Sequence, residues 1–164
     1  LNLKLNKLMK NQYLIFAFTL FSALSFAQNK KNAQISKLYQ NYISLKDALA
    51  GDSSSKAAAS ASEFLKTSSA LDSKTLNASN LRQLKDNAKL ISASKDIKVQ
   101  REKFENISDQ MFIISKNYKL ADKTVYLQYC PMADAAWLSN ETKIINPYYG
   151  SSMLNCGKIQ QEIK

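Results

Sequence analysis

Four sulfur-bearing residues fall in one segment of the chain, Val125 to Gly157, which also holds both prolines and the only tryptophan. Cys130 and Met132 stand two apart across Pro131, and an extended backbone there turns both sulfurs to one side. Met153 and Cys156 are three apart, which does the same on one turn of helix. Between the two pairs lies Asn146-Pro147-Tyr148-Tyr149-Gly150. Proline holds the residue before it extended and glycine accepts positive φ, so this stretch can fold back and bring the pairs together.

Two thiolates and two thioethers form a soft ligand set, suited to Cu(I) and, softer still, Ag(I). Zinc fits less well, because its sites commonly use four Cys or His ligands, and Asp134 or Glu141 would have to complete the shell. Iron–sulfur clusters lack enough thiolates. The competing reading is a Cys130–Cys156 disulfide, which by chain entropy is worth ~3–4 kcal/mol. Spacing alone favours the disulfide in an exported chain. Met132 and Met153 also serve as flexible packing residues, and Trp137 beside Leu138 reads as packing as much as recognition.

The chain has no histidine. That removes serine–histidine and cysteine–histidine catalysis, His-ligated zinc and His-ligated haem. Glu102 and Glu105 sit among charged residues on a helix face that reads as solvated. A non-enzymatic protein is the expectation, with no catalytic residue and no cofactor beyond a metal ion.

Helical periodicity supplies the support for the sulfur segment. Ile35, Leu38, Tyr42, Leu45 and Leu49 form one apolar face, ended by Gly51. After Asp52 and Ser53 as capping candidates, Ala57, Ala61, Phe64 and Leu65 mark a second helix. Leu81, Leu84, Ala88 and Ile91 mark a third, capped by Ser79 or Asn80. Ile97, Phe104, Ile107, Met111, Ile114 and Tyr118 mark a fourth from about Asp96 to Lys119, capped by Ser94 or Asp96. Short links between four amphipathic helices predict an antiparallel up-and-down four-helix bundle over about residues 32–120. From Thr124 to Tyr129 the pattern alternates as in a strand, with Ala135–Ser139 and Thr142–Ile145 as partner strands. The expected fold class is therefore mainly α, with a small C-terminal β-hairpin or loop unit over about residues 123–159.

Residues 1–27 are expected to be a signal peptide. Lys10 supplies the charge, Tyr13 to Leu24 the apolar run, and Ser25-Phe26-Ala27 the small-residue cleavage site, so the mature chain, one domain over 28–164, starts at Gln28. The apolar run is too short to span a membrane. Residues 1–8 precede Met9, which reads as the true start. Removing residues 1–27 takes away Lys4, Lys7 and Lys10 and no acid, leaving 20 basic against 13 acidic residues, net +7. The lysines are scattered, so no nucleic-acid partner is expected, and the product is periplasmic or secreted.

"VYLQYCPMA", "WLS", "NPYYG" and Met153-Leu154-Asn155-Cys156-Gly157, with the helical opening "LYQNYISLKDALAGD", resemble the exported bacterial family catalogued as domain of unknown function 3347. The resemblance spans about residues 33–159. The residues that carry it are Cys130, Pro131, Met132, Trp137, Asn146, Pro147, Tyr148, Gly150, Met153, Cys156 and Gly157. Such domains occur alone or attached to periplasmic adaptor subunits of heavy-metal efflux pumps, although the histidine-rich stretches of some adaptors are missing here. The resemblance implies metal handling, and it moves the balance toward a soft-ion site of Cys130, Met132, Met153 and Cys156, for buffering or for delivery to an efflux component. Trp137, Asn146 and Tyr148 are its candidate supporting residues. The alternative is an interaction domain stapled by Cys130–Cys156, in which Trp137, Tyr148 and Tyr149 dock a protein partner.

Overall fold

The computed structural model describes residues 30–164, so the expected signal segment and the choice of start lie outside the described residues. Four helices follow one another: α1 (Ala33–Ala50), α2 (Ser54–Ser69), α3 (Ala78–Ala93) and α4 (Ile97–Ser115). Each packs on the next, α1 on α2, α2 on α3 and α3 on α4. A two-residue strand, β1 (Lys30–Lys31), lies parallel to β2 (Tyr118–Lys119). The C-terminal part is a three-stranded antiparallel sheet of β3 (Val125–Cys130), β4 (Ala135–Ser139) and β5 (Lys158–Ile163), with β3 in the middle. The chain is thus mainly helical with a small C-terminal sheet.

The helices form where apolar side chains recur at three- and four-residue intervals, because that spacing gives each helix one face to bury. Ile35, Leu38, Tyr42, Leu45 and Leu49 of α1, Leu84, Ala88 and Ile91 of α3, and Phe104, Ile107 and Met111 of α4 enter one common core. In α2 the buried face is Ala57, Ala61, Phe64 and Ser68, and Leu65 lies at its margin. Alanines at Ala57 and Ala61 leave room for the neighbouring helices to approach.

Helix ends correct two of the sequence expectations. The cap of α3 is Asn77, not Ser79 or Asn80, because its side-chain oxygen accepts from the Asn80 N–H at 2.9 Å. Helix α4 is capped by Asp96 and ends at Ser115, earlier than Lys119, where the chain leaves to pair β2 with β1. Gly51 ends α1 as expected, and the residue after it, Asp52, takes the left-handed conformation at φ 55°. Asp tolerates this region better than most side chains.

Buried polar groups tie the helices where apolar contact does not. Gln100 Nε2 donates to the carbonyls of Ser54 (3.0 Å), Ile91 (3.3 Å) and Ser94 (2.8 Å), joining the start of α2 to the end of α3. A run of aromatic rings, Tyr39, Tyr42, Phe104, Tyr148 and Trp137, leads from α1 through α4 into the sheet, with centroids 5.2–6.0 Å apart. Tyr42 Oη contacts Ser108 Oγ at 3.0 Å and accepts from the Leu138 N–H at 2.9 Å. Burial pushes its phenol well above the ordinary value, so it stays a neutral donor.

The second strand partner of β3 is β5, and Thr142–Ile145 is not a strand. Gln128 explains the difference locally: its Nε2 donates to the carbonyls of Glu141 (2.8 Å) and Lys143 (3.2 Å), so a side chain occupies acceptors that a ladder would use. The register of β3 with β5 shifts between Leu127 and Gln128, leaving a bulge at this edge of the sheet.

Candidate functional site

Cys130 ends β3, and Cys156 lies two residues before β5, whose Lys158 pairs with Tyr129. The sheet therefore brings the two cysteines to one end. Their sulfurs are 2.7 Å apart, and both are free thiols. Cys130 is fully buried and Cys156 half-buried.

The thioethers are placed differently. Residues 131–134 form a turn, not the extended backbone expected across Pro131, and this separates the environments of Cys130 and Met132. Met132 is 64% exposed while Cys130 is 0% exposed. Met153 is half-buried after the short 3-10 turn Gly150–Ser152, and the Cys156 N–H donates to its carbonyl at 3.0 Å. That is a single turn instead of a helix, closed by this backbone bond. The structure thus joins the two thiols and leaves Met132 at the surface beside them.

Asn146 organises the loop that carries Cys156. Its Oδ1 accepts from the Tyr148 N–H (2.8 Å) and the Tyr149 N–H (3.2 Å). Its Nδ2 donates to the Cys156 carbonyl at 3.0 Å, and its own N–H donates to Leu154 O at 2.8 Å. Gly150 closes the turn at φ 55°, as its position after Asn-Pro-Tyr-Tyr suggested. Tyr149 Oη donates to the Met132 carbonyl at 2.9 Å, tying this loop to the turn after Cys130.

Trp137 is fully buried, edge-on to Tyr148, and Tyr148 Oη donates to Ala136 O at 2.6 Å. A Cβ on Gly157 would meet the Trp137 ring at 2.9 Å, so the glycine lets the chain pass over the indole. Trp137 and Tyr148 are packing residues behind the thiols, and Trp137 offers no surface to a partner.

The two thiols are electrostatically unequal. Burial opposes ionisation of Cys130, but the Cys156 thiol, the Ala133 and Met132 N–H groups and the Asn146 side chain outweigh it and hold its pKa below the ordinary thiol value. Cys156 is pushed up, first by its hydrogen bond to Cys130 and then by burial. Of the two thiols, Cys130 is therefore the one that ionises first.

Two thiolates bound tetrahedrally to one ion at ~2.3 Å each stand about 3.8 Å apart. To hold an ion between them, Cys130 and Cys156 would have to separate by about 1 Å. Closing to a disulfide, at ~2.05 Å, needs a smaller movement. Asp134 accepts from Tyr129 Oη at 2.7 Å, and among the described residues no cluster of three or more His, Cys, Asp or Glu forms a site for a hard or borderline ion. The donor set at this end of the sheet is sulfur.

A comparison with known protein families matches residues 38–123 to a family described as a protein of unknown function, DUF3347. The chain belongs to this family. The DUF3347 match begins inside α1, takes in α2 to α4 and ends just before β3, so the sulfur segment lies beyond it, and the span is narrower than the resemblance over residues 33–159. No match is found among curated proteins or among solved structures. Among the described residues of this DUF3347 chain, no helix is long and apolar enough to cross a membrane.

Sequence reasoning missed the Asp52–Arg101 pair beside this loop. Arg101 Nη2 lies 2.6 Å from Asp52 Oδ1, and no local motif marks two residues 49 positions apart as partners.

Proposed function

We propose that this chain is an exported, non-enzymatic binding domain whose reduced Cys130–Cys156 pair takes one soft metal ion, Cu(I) or Ag(I), aided by Met132 and Met153. The observation that carries the reading is the all-sulfur donor set at this end of the sheet, where two free cysteines are brought together and Met132 follows in an exposed turn. Thiolate and thioether sulfur suit a soft monovalent ion, and the exposed Met132 can move without unpacking the core. In this reading the helices run up and down, antiparallel to their neighbours, as the short links favour. They serve as a rigid base for the sulfur end of the sheet. The ion would be buffered or handed to an efflux component in the periplasm, after removal of residues 1–27.

The second reading is a permanent Cys130–Cys156 disulfide that staples an interaction domain. The separation of 2.7 Å favours it, being closer to a bond than to a chelate. Its docking surface would have to omit Trp137, which is buried.

Anaerobic titration of the reduced protein with Cu(I) against a competing chelator tests the first reading. It expects a 1:1 complex abolished by Cys130→Ser and weakened by Met132→Leu or Met153→Leu. Absence of competitive binding, with both thiols oxidised in protein recovered from the cell, would leave the stapled domain.

A further inference from the structure

The loop that carries Cys156 is fastened to the helices by one ionic cluster. Arg101 stands in the second turn of α4 and reaches three acceptors. Its Nη2 donates to Leu49 O (2.8 Å) at the end of α1 and to Asp52 Oδ1 (2.6 Å) in the α1–α2 turn, and its Nε donates to Pro147 O (2.9 Å) in the loop. The other Asp52 oxygen accepts from the Ser151 N–H at 2.9 Å. Gly150 lies between them at φ 55°, and a Cβ there would collide with both the Asp52 carboxylate and the Arg101 guanidinium. The Arg101 side chain is only 15% exposed, so the cluster is partly shielded from water and salt.

From this anchor the chain reaches Cys156 within five residues of Ser151, held by the Asn146 bonds to Leu154 and Cys156. At its far end the loop enters β5, which pairs with β3. Cys156 is therefore fixed from both sides, by the sheet after it and by the ionic cluster before it. Tyr148, packed between Phe104 and Trp137, gives the start of the loop an apolar hold, but Met153, Leu154 and Cys156 beyond it are only half-buried, so the stretch that leads to Cys156 depends on the polar bonds.

We propose that Arg101 and Asp52 are positioning residues for the thiol pair: by latching the 146–152 loop to α1 and α4 they hold Cys156 against Cys130, and so set how readily the pair closes. This rests on the reading that the two thiols act as one unit, and it names what regulates them. The closing step is thiol–disulfide exchange with a small disulfide such as oxidised glutathione. One thiolate of the pair attacks it and releases one glutathione thiolate. The second thiol then loses its proton and displaces the other glutathione, forming the Cys130–Cys156 bond. Two electrons pass from the protein to the glutathione pair. The equilibrium measures the effective concentration of one cysteine at the other, which is the quantity a latch controls.

The test is the dithiol–disulfide equilibrium of the protein in glutathione buffers of graded ratio, read by thiol trapping. Arg101→Ala is expected to shift it toward the dithiol about tenfold, or about 30 mV for this two-electron couple. Arg101→Lys, which keeps the charge and loses the three-way fork, should fall between. Asp52→Asn, which suits a left-handed backbone, should give a smaller shift of the same sign, and it decides the matter alone if Arg101→Ala does not fold. Lys31→Ala, which breaks the exposed Lys31–Asp122 pair at 3.0 Å, should leave the equilibrium unchanged. An unchanged equilibrium in folded Arg101→Ala and Asp52→Asn would overturn the latch, as would a native pair that never closes in the most oxidising buffer. Failure of the native protein to bind Cu(I) would overturn the metal reading and leave the latch standing.

Discussion

The helical half and the sulfur end of the sheet half share one apolar core but are held by different balances of burial and polar bonding. The four helices bury apolar stripes against one another, and the ends are finished by side-chain caps at Asn32, Ser53, Asn77 and Asp96. The sulfur end of the sheet half is held by named polar bonds: Asn146 inside the loop, Tyr149 to Met132, and Arg101 with Asp52 to the helices. Burial is non-directional and tolerates small displacements, whereas a hydrogen bond fixes a distance and an angle. The half that carries the thiols is thus the half in which geometry is specified atom by atom.

The sharpest challenge to that contrast comes from Phe104, whose ring stacks on Tyr42 at 5.2 Å and meets Tyr148 at 5.8 Å, joining the two halves. Phe104→Ala should cost ~3–5 kcal/mol in urea denaturation and lower protection from hydrogen exchange in both halves. Protection lost in the helices alone would show that the aromatic run does not couple them.

Asn146 should act on one half only. Replacing it with Leu removes the partners of the Tyr148 and Tyr149 N–H groups and the Cys156 carbonyl, each worth ~1–3 kcal/mol when buried and unpaired. The expected outcome is faster exchange in residues 146–163 with the exchange of α2 and α3 unchanged.

A cap offers the matching test in the helical half. Asn77→Ala should lower stability by ~1 kcal/mol in thermal unfolding, because the Asn80 N–H loses its acceptor. The Cu(I) affinity of the reduced protein should stay the same.

The smallest effect is expected from acid. Asp52 is held down to about 2, first by its hydrogen bonds from Ser151 and then by Arg101. A carboxyl whose folded pKa is depressed adds stability above its unfolded value, near ~3.9, and loses it as pH falls toward the folded value. Stability should therefore decline between about pH 4 and pH 2 by more in the native protein than in Asp52→Asn. Equal declines would remove Asp52 from the account.

The helices were legible in the sequence because a period of 3.6 residues leaves a mark on every turn, as at Leu81, Leu84, Ala88 and Ile91. Strand β5 left no such mark. Residues 158–162 are exposed on both faces, so no alternation betrays them, and the apolar Thr142–Ile145 stretch drew the assignment instead. Cys130 and Cys156 were recognisable as a pair because residue type alone singles them out. The turn after Cys130 was not, since Pro131 is as compatible with the first position of a turn as with an extended chain. Neither was the Arg101–Asp52 latch, because ionic partners far apart in sequence are fixed only by the packing of α1, α4 and the loop.

X-ray absorption at the copper edge of the reduced, Cu(I)-loaded protein tests the central claim most directly, since it reads the atoms around the ion. The account predicts a shell made of sulfur only, reduced by two sulfurs or lost altogether when Cys130 and Cys156 are both replaced by Ser. A shell of nitrogen or oxygen, or a spectrum indifferent to that double replacement, would contradict it.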